Sequence, residues 1–336
     1  MKDLVTGGAG FIGSHLVEAL LRRGDEVVVL DNFSTGSLRN LSHLAGNPKL
    51  EILEESILNR PVVERLVDRA DQVFHLAAAV GVQYVVEHPL SSLLTNIHGA
   101  EYVLEAASRS AKPVILFSTS EVYGKSDAVP FSENHDRVMG PTAISRWGYA
   151  SSKAVDEFLA LAYHRERGLP VVIVRCFNTC GPRQSGAYGM VIPRLIQRAL
   201  AGQPMEVYGD GQQTRCFSYV GDVVRGVLLL ADNTDSYGEV FNIGTDQEVS
   251  VNELAQRIRT LAGSSSPIVH IPYEEIYGTS FEDMRRRVPD LTKITRFVGY
   301  RPDVRLDDLL SMTIEHMRQH ADAPTAVPAG GVPLYR

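Results

Sequence analysis

Three glycines at three-residue intervals, Gly7, Gly10 and Gly13, separate an apolar stretch from an amphipathic one. The run is Thr6-Gly7-Gly8-Ala9-Gly10-Phe11-Ile12-Gly13. Residues 4–6 read as a short strand and residues 11–22 as a helix, with Gly24 as its stop. In that setting each glycine has its own task. Gly7 permits the tight turn, Gly10 lets a pyrophosphate approach the backbone at the helix N-terminus, and Gly13 allows the helix to lie close to the sheet. Asp31 ends the second apolar run, residues 26–30. A carboxylate there accepts hydrogen bonds from adenosine ribose hydroxyls and repels a 2′-phosphate. The pattern predicts a dinucleotide site that takes NAD in preference to NADP.

The apolar runs recur at 50–53, 72–76, 114–118 and 171–175, with helical patterns between them and a long one over 149–167. Such alternation predicts an α/β fold: a Rossmann-type, doubly wound parallel sheet with right-handed crossovers. After about residue 181 the pattern loosens into turns such as Tyr208-Gly209-Asp210-Gly211, with helices expected near 193–201, 251–261 and 306–318. The expected organisation is a dinucleotide-binding domain over 1–180, to which some later segments return. A smaller α/β lobe for substrate follows over 181–320, and then a flexible Ala/Pro/Gly-rich tail, 321–336. The net charge of −7 argues against a nucleic-acid surface, which needs a basic excess. No uninterrupted apolar stretch of about 18 residues is present, so no membrane span is expected. Three cysteines, Cys176, Cys180 and Cys216, fit a reducing, cytoplasmic setting without a disulfide framework, and no ligand cluster for a metal surrounds them.

Tyr149-Ala150-Ser151-Ser152-Lys153 puts a phenol and an ammonium on one helical face. A neighbouring ammonium lowers a phenol pKa, so Tyr149 is the candidate base and Lys153 the group that tunes it. Ser118-Thr119-Ser120-Glu121 follows an apolar strand, and ligands sit at the carboxyl ends of strands in open α/β sheets. A hydroxyl, a carboxylate, a phenol and an ammonium are thus expected to converge. For Glu121 a supporting place behind the site is the alternative. His75, a lone histidine at a strand end, reads as structural.

With these residues in view, the chain resembles the extended short-chain dehydrogenase/reductases that act as nucleotide-sugar epimerases, dehydratases and decarboxylases. The resemblance spans roughly residues 3–318 and rests on TGGAGFIGSH, HLAA (75–78), STSEVYG (118–124), YASSK, RCFNTCGPR (175–183) and YGDGQQTRCF (208–217). It implies NAD, a UDP-sugar substrate and a homodimer paired through helices near 96–107 and 149–167. It also implies a cofactor held by Gly7, Gly10, Phe11, Ile12 and Gly13, by Asp31 and Asn32, by Ser56 and Ile57, and by Leu76, Ala77 and Ala78. Tyr149 and Lys153 would meet the nicotinamide ribose. Ser56 stands where the family usually carries an aspartate for the adenine. The diphosphate and base would be met by Asn178, Val191, Arg194, Tyr208, Arg215 and Arg285. For Arg194 and Tyr208, packing within the lobe is the alternative.

The shared chemistry of the family is oxidation of a ring hydroxyl, usually at C4: Tyr149 would take its proton, with Thr119 sharing the hydrogen bond, and the hydride would pass to NAD⁺. Ser120 stands where dTDP-glucose-type 4,6-dehydratases carry an aspartate. Thr119-Ser120-Glu121 also occurs in UDP-glucuronate decarboxylases. Residues 145–149 and 277–290 are similar to two segments of the decarboxylase of the bacterial aminoarabinose pathway, and that likeness gives Arg287 a role with Ser120 and Glu121 in loss of CO2. A phosphate-binding or structural role for Arg287 is the alternative. The expected activity is decarboxylation of UDP-glucuronate to a UDP-4-keto-pentose or UDP-xylose. A UDP-sugar 4-epimerase comes next, then a 4,6-dehydratase. The intact Thr119, Tyr149 and Lys153 argue against a non-catalytic NAD-sensing module.

Overall fold

The structure is a computed structural model that describes residues 1–144, 146–186, 190–277 and 284–320. Seven parallel strands form its central sheet. Six are β1 (Lys2–Thr6), β2 (Glu26–Asp31), β3 (Leu50–Glu54), β4 (Gln72–His75), β5 (Val114–Thr119) and β6 (Val171–Cys176). The seventh, Glu239–Ile243, lies on the edge beside β6, and the order across the sheet is Glu239–Ile243, β6, β5, β4, β1, β2, β3. The five strands read from the sequence after the first one begin where expected: β2, β4, β5 and β6 are apolar runs buried on both faces, while β3, at the sheet edge, is largely exposed. Glu239–Ile243 gives a weaker signal: it opens on a charged residue, Glu239, and carries a polar one, Asn242, next to its end.

Strand alternation divides the core into two layers. Val5, Val27, Val29, Phe74, Ile115 and Val172 face α1 (Phe11–Arg23). Leu4, Val28, Val73, Val114, Leu116 and Ile173 face the opposite way. That second layer holds α2 (Arg60–Arg69), then α4 (Pro89–Ser108) and α5 (Arg146–Arg167) packed side by side, with the short α3 (Val82–Glu87) against both. Fully burying one such aliphatic side chain contributes about 1.5–3 kcal/mol, so the two layers supply most of the driving force. The chain leaves β1 for one face and β3 for the other. The crevice above β1 and β4 is therefore the switch point, and the glycine turn lies there.

Beyond β6 a smaller core gathers Ile192, Leu195, Ile196, Met205, Val207, Leu254, Ile258, Leu309 and Ile314. It is built from α6 (Val191–Leu200), helices Val251–Leu261 and Leu306–Gln319, and short two-stranded pieces, among them Met205–Tyr208 beside Ile268–Ile271. Helix α7 (Val220–Ala231) turns back from this lobe to pack on α1. The expected tail, 321–336, lies outside the described residues.

Candidate active site

At the turn after β1, Gly7 has φ +72°, and a Cβ on it would stand 2.8 Å from the Ala77 nitrogen. A Cβ on Gly13 would collide with the Gly7 carbonyl oxygen, so only glycine lets α1 approach β1 this closely. Helix α1 starts with Gly10 at its N-cap and no side chain capping it. The first-turn N–H groups, from Phe11, Ile12 and Gly13, have no acceptor within the helix and suit a diphosphate. Asp31 ends β2 and is buried. Its Oδ2 accepts from the Ala9 N–H at 2.9 Å and its Oδ1 from the Phe33 N–H at 2.8 Å. Burial pushes its carboxyl up, and these two N–H groups oppose the shift. Each oxygen keeps a second lone pair for a ribose hydroxyl. A bare helix N-terminus, a cradle that a Cβ would fill and a carboxylate at β2's end together fit a dinucleotide.

The other residues expected around the adenosine are less committed to a ligand. Asn32 is exposed and accepts from the Ser34 N–H and hydroxyl at 3.1 and 2.7 Å. The Ser56 hydroxyl accepts from the Leu58 N–H at 3.1 Å, and Ile57 is buried against Gly99 of α4. After β4, the Leu76 N–H is held by the Thr6 carbonyl at 3.1 Å and the Ala77 N–H by the Thr6 hydroxyl at 3.2 Å, so this edge of the crevice is braced against β1, with Ala78 next in line. His75 is buried, with Nδ1 2.8 Å from the Thr6 hydroxyl. Burial, with Lys153 second, pushes its imidazole down to about 3, so it is neutral.

Tyr149 and Lys153 lie on α5 facing the end of β5, and the Tyr149 hydroxyl is hydrogen-bonded to Thr119. Thr119 also accepts from the Glu121 N–H at 3.2 Å and so caps the turn Ser120–Tyr123, where Ser120 is buried. The electrostatics reverse the expectation for the phenol. Burial, and after it the charges of Glu121, Asp156 and Cys176, hold Tyr149 above its ordinary range, opposed by the bond to Thr119. The Lys153 ammonium is meanwhile spoken for: its Nζ donates to Asp156 at 2.8 Å, with both side chains almost wholly buried.

Arg285, Arg286 and Arg287 each pair with a different carboxylate. Arg285 meets Asp210 and Arg286 meets Glu248, both at 2.8 Å, while Arg287 meets Glu121 at 2.7 Å. The first two side chains are 71% and 55% exposed and the third 7%, so only Arg287 enters the site. Arg285, expected at the diphosphate, lies at the surface and pairs with Asp210. The likeness drawn across 277–290 falls partly on residues 278–283, outside the described residues.

In the lobe, Asn178 takes a positive φ of 26° and its amide donates to the Cys216 carbonyl at 3.1 Å. Arg215 is buried and donates to the Thr214 carbonyl at 2.7 Å. The Arg194 guanidinium stacks 3.8 Å from the Tyr208 ring centroid and donates to the Glu206 carbonyl at 3.0 Å. These two side chains therefore pack on each other. Val191 opens α6 and packs on the lobe core. The three cysteines are free, and no cluster of metal-ligating side chains occurs among the described residues.

Several polar residues that support this site escape hydrophobic periodicity. Asn96 accepts from the Ala79 N–H at 2.7 Å and donates to the Ser152 hydroxyl at 3.1 Å, joining the edge of the crevice to α5. Glu157 accepts from Arg175 Nη2 at 2.7 Å and from the Ser118 hydroxyl at 2.5 Å, tying α5 to β6 and β5. The signal for Asp156 and Glu157 was present: they follow Lys153 by three and four residues on its own helix face.

A family model described as "GDP-mannose 4,6 dehydratase" matches residues 4–313. A UDP-N-acetyl-alpha-D-glucosaminuronate decarboxylase of Bacillus cytotoxicus is 46% identical over 319 residues, covering 95% of this chain and 98% of that protein. UDP-glucuronic acid decarboxylase 1 of Xenopus tropicalis is 37% identical, covering 96% of this chain and 73% of that protein. Among solved structures, the UDP-glucuronic acid 4-epimerase of Bacillus cereus, in complex with UDP-glucuronic acid and NAD, aligns with a TM-score of 0.86 at 31% identity, covering 95% of this chain and 99% of that one. With the glycine turn, the Tyr149–Lys153 pair and these matches in agreement, the chain belongs to the GDP-mannose 4,6 dehydratase family, the extended short-chain dehydrogenase/reductases that rework nucleotide sugars.

Proposed function

We propose that this chain is an NAD-dependent decarboxylase of UDP-glucuronate, yielding a UDP-4-keto-pentose or UDP-xylose. The observation that carries the reading is the ion pair of the buried Arg287 with the partly exposed Glu121, beside the Tyr149 and Thr119 hydroxyls. A guanidinium is costly to bury, and one placed beside the catalytic phenol suits an anionic group on the sugar itself. A hexuronate offers one, the carboxylate on C5.

Tyr149 takes the proton of the C4 hydroxyl while Thr119 holds that oxygen in line. NAD⁺, when bound, supplies the hydride acceptor that makes C4 a ketone. The substrate carboxylate competes with Glu121 for Arg287. Glu121, released from its ion pair, is then free to carry a proton. The C4 ketone is β to the carboxylate, so the C5–carboxylate bond breaks, CO2 leaves, and the electron pair moves onto the C4 oxygen. Tyr149 and Thr119 donate hydrogen bonds to that enolate. Glu121 then delivers the proton to C5.

Two other readings have support. The relative at 46% identity is named for the 2-acetamido hexuronate, which favours that substrate. The structural neighbour bound to UDP-glucuronic acid is a 4-epimerase, which favours inversion at C4. Purified protein incubated with NAD⁺ and each UDP-hexuronate separately, read by mass spectrometry, distinguishes them. Loss of CO2 from UDP-glucuronate is the expected result, and Tyr149→Phe should remove it. Unchanged mass with an inverted C4 by NMR would replace the decarboxylase with an epimerase.

The assembly proposed is a homodimer through α4 and α5. Val155 and Phe158 line one outward face of α5 at three-residue spacing, and Leu90 stands exposed on α4. Free, mostly buried cysteines support a reducing, cytoplasmic setting. No helix of the described residues is long and apolar enough to cross a membrane.

A further inference from the structure

Glu121 and Arg287 lie 166 residues apart in the chain, on two segments with no regular element between them at their point of contact. Something must set the distance between them, and the packing around Asn242 shows what does. Asn242 lies on the edge strand Glu239–Ile243 and is fully buried. Its Oδ1 accepts from the Tyr123 hydroxyl at 2.7 Å. Its Nδ2 donates to the Phe131 carbonyl at 2.8 Å and to the Asp290 carbonyl at 3.3 Å. Two carbonyls on one side and a hydroxyl on the other leave one orientation for the amide.

Tyr123 closes the turn Ser120–Tyr123, two residues after Glu121. Asp290 follows Arg287 by three residues, and its N–H donates to the same Phe131 carbonyl at 2.8 Å. The Phe131 N–H in turn donates to the Val288 carbonyl at 2.7 Å. The rings of Tyr123 and Phe131 stack with centroids 4.7 Å apart. One carboxamide therefore grips both segments that present the ion pair, and it is itself fixed to the central sheet through β6.

We propose that Asn242 is a positioning residue for decarboxylation: its carboxamide clamps the Glu121 turn to the Arg287 segment and so sets the place of the substrate carboxylate. Hydride transfer at C4 depends on Tyr149 and Lys153 of α5 and on Thr119, which is held by β5, and none of the three bonds to Asn242. Its loss should therefore uncouple the two halves of the reaction. The inference rests on the decarboxylase reading above.

The test uses full-length wild type, Asn242→Ala and Tyr123→Phe with UDP-glucuronate and NAD⁺. Borohydride traps any C4 ketone that still carries its carboxylate, and mass spectrometry gives the ratio of that trapped acid to the decarboxylated product. In both variants the ratio should rise at least tenfold, with kcat for CO2 release falling and KM changing less than threefold. Ile314→Ala, in the lobe core, serves as a control of comparable thermal destabilisation and should leave the ratio at its wild-type value. Tyr123→Phe removes one hydroxyl and keeps the ring stack, so it stands in should Asn242→Ala not fold. A wild-type ratio in a folded variant, or an equal rise in Ile314→Ala, overturns the clamp while the decarboxylase reading survives. Absence of CO2 from wild type instead overturns that reading.

Discussion

Lys153 and Asp156 lie one helical turn apart and pair at 2.8 Å, and after burial and Glu121 the Asp156 charge is the next influence that holds the Tyr149 phenol up. A buried carboxylate beside the ammonium cancels most of the field that would draw a proton off the phenol, and it adds repulsion of its own. On the acid side of the Tyr149 pKa, turnover should rise with pH, since the working base is the minor form. Asp156→Asn removes the repelling charge and uncovers the ammonium, and both effects lower the phenol pKa. The rising limb of kcat should move to lower pH by about one unit. A pH–rate profile of the variant checks this, and an unmoved limb would show that Asp156 does not act on Tyr149. At this scale the sequence told which groups meet but not their charge state. Tyr149, Lys153, Thr119 and Glu121 were legible because motif spacing and strand ends place them. The spacing of Asp156 and Glu157 after Lys153 was also in the sequence, but not which of the two carboxylates would claim the ammonium, because that depends on how deeply the helix is buried.

The elements were legible where burial is uniform. Val27–Leu30 and Val114–Phe117 can be little else than central strands, whereas Glu239–Ile243 is marked by Asn242 as though it were a loop. Helix α5 begins at Arg146, three residues before the expected start at 149, because helical spacing leaves its first turn undetermined. Strand β1 contains a more costly surprise in Asp3. It is fully buried, neither carboxylate oxygen has a hydrogen-bond partner, and the nearest cation is the Arg23 guanidinium at 3.8 Å. Burial, with Asp25 second, pushes its carboxyl up to about 7. The sign follows from proton binding. Between about pH 4 and 7 the folded state holds this proton more tightly than the unfolded one, so stability falls as pH rises through that window. Asp3→Asn should raise the melting temperature at pH 8, by up to about 4 kcal/mol in stability, and the gain should vanish near pH 4. Thermal melts at the two pH values decide the matter, and an equal effect at both would point to packing instead.

Over the whole molecule, the sheet and a smaller core beyond β6 were legible from where the strand–helix alternation loosens. How the two are joined was not, since hydrophobic patterning does not reveal which polar groups meet. The exposed stripe on α5 raises the question of assembly. Phe158 is 58% exposed and Leu90 69%, more apolar surface than two adjoining helices ordinarily leave to water. Phe158→Glu should convert the proposed dimer to a monomer with its secondary structure intact, as read by sedimentation and circular dichroism. A wild-type protein that sediments as a monomer would remove the assignment. The edge strand Glu239–Ile243 has a further consequence. It reaches the sheet only after the chain has already built α6 and part of the lobe, and helices of the lobe follow it. The two halves are therefore laced and not concatenated. No single cut separates a complete sheet from a complete lobe, so neither can be lifted out as a cassette or exchanged between relatives at one splice point. Any variation in sugar specificity must instead arise by substitution within the laced whole.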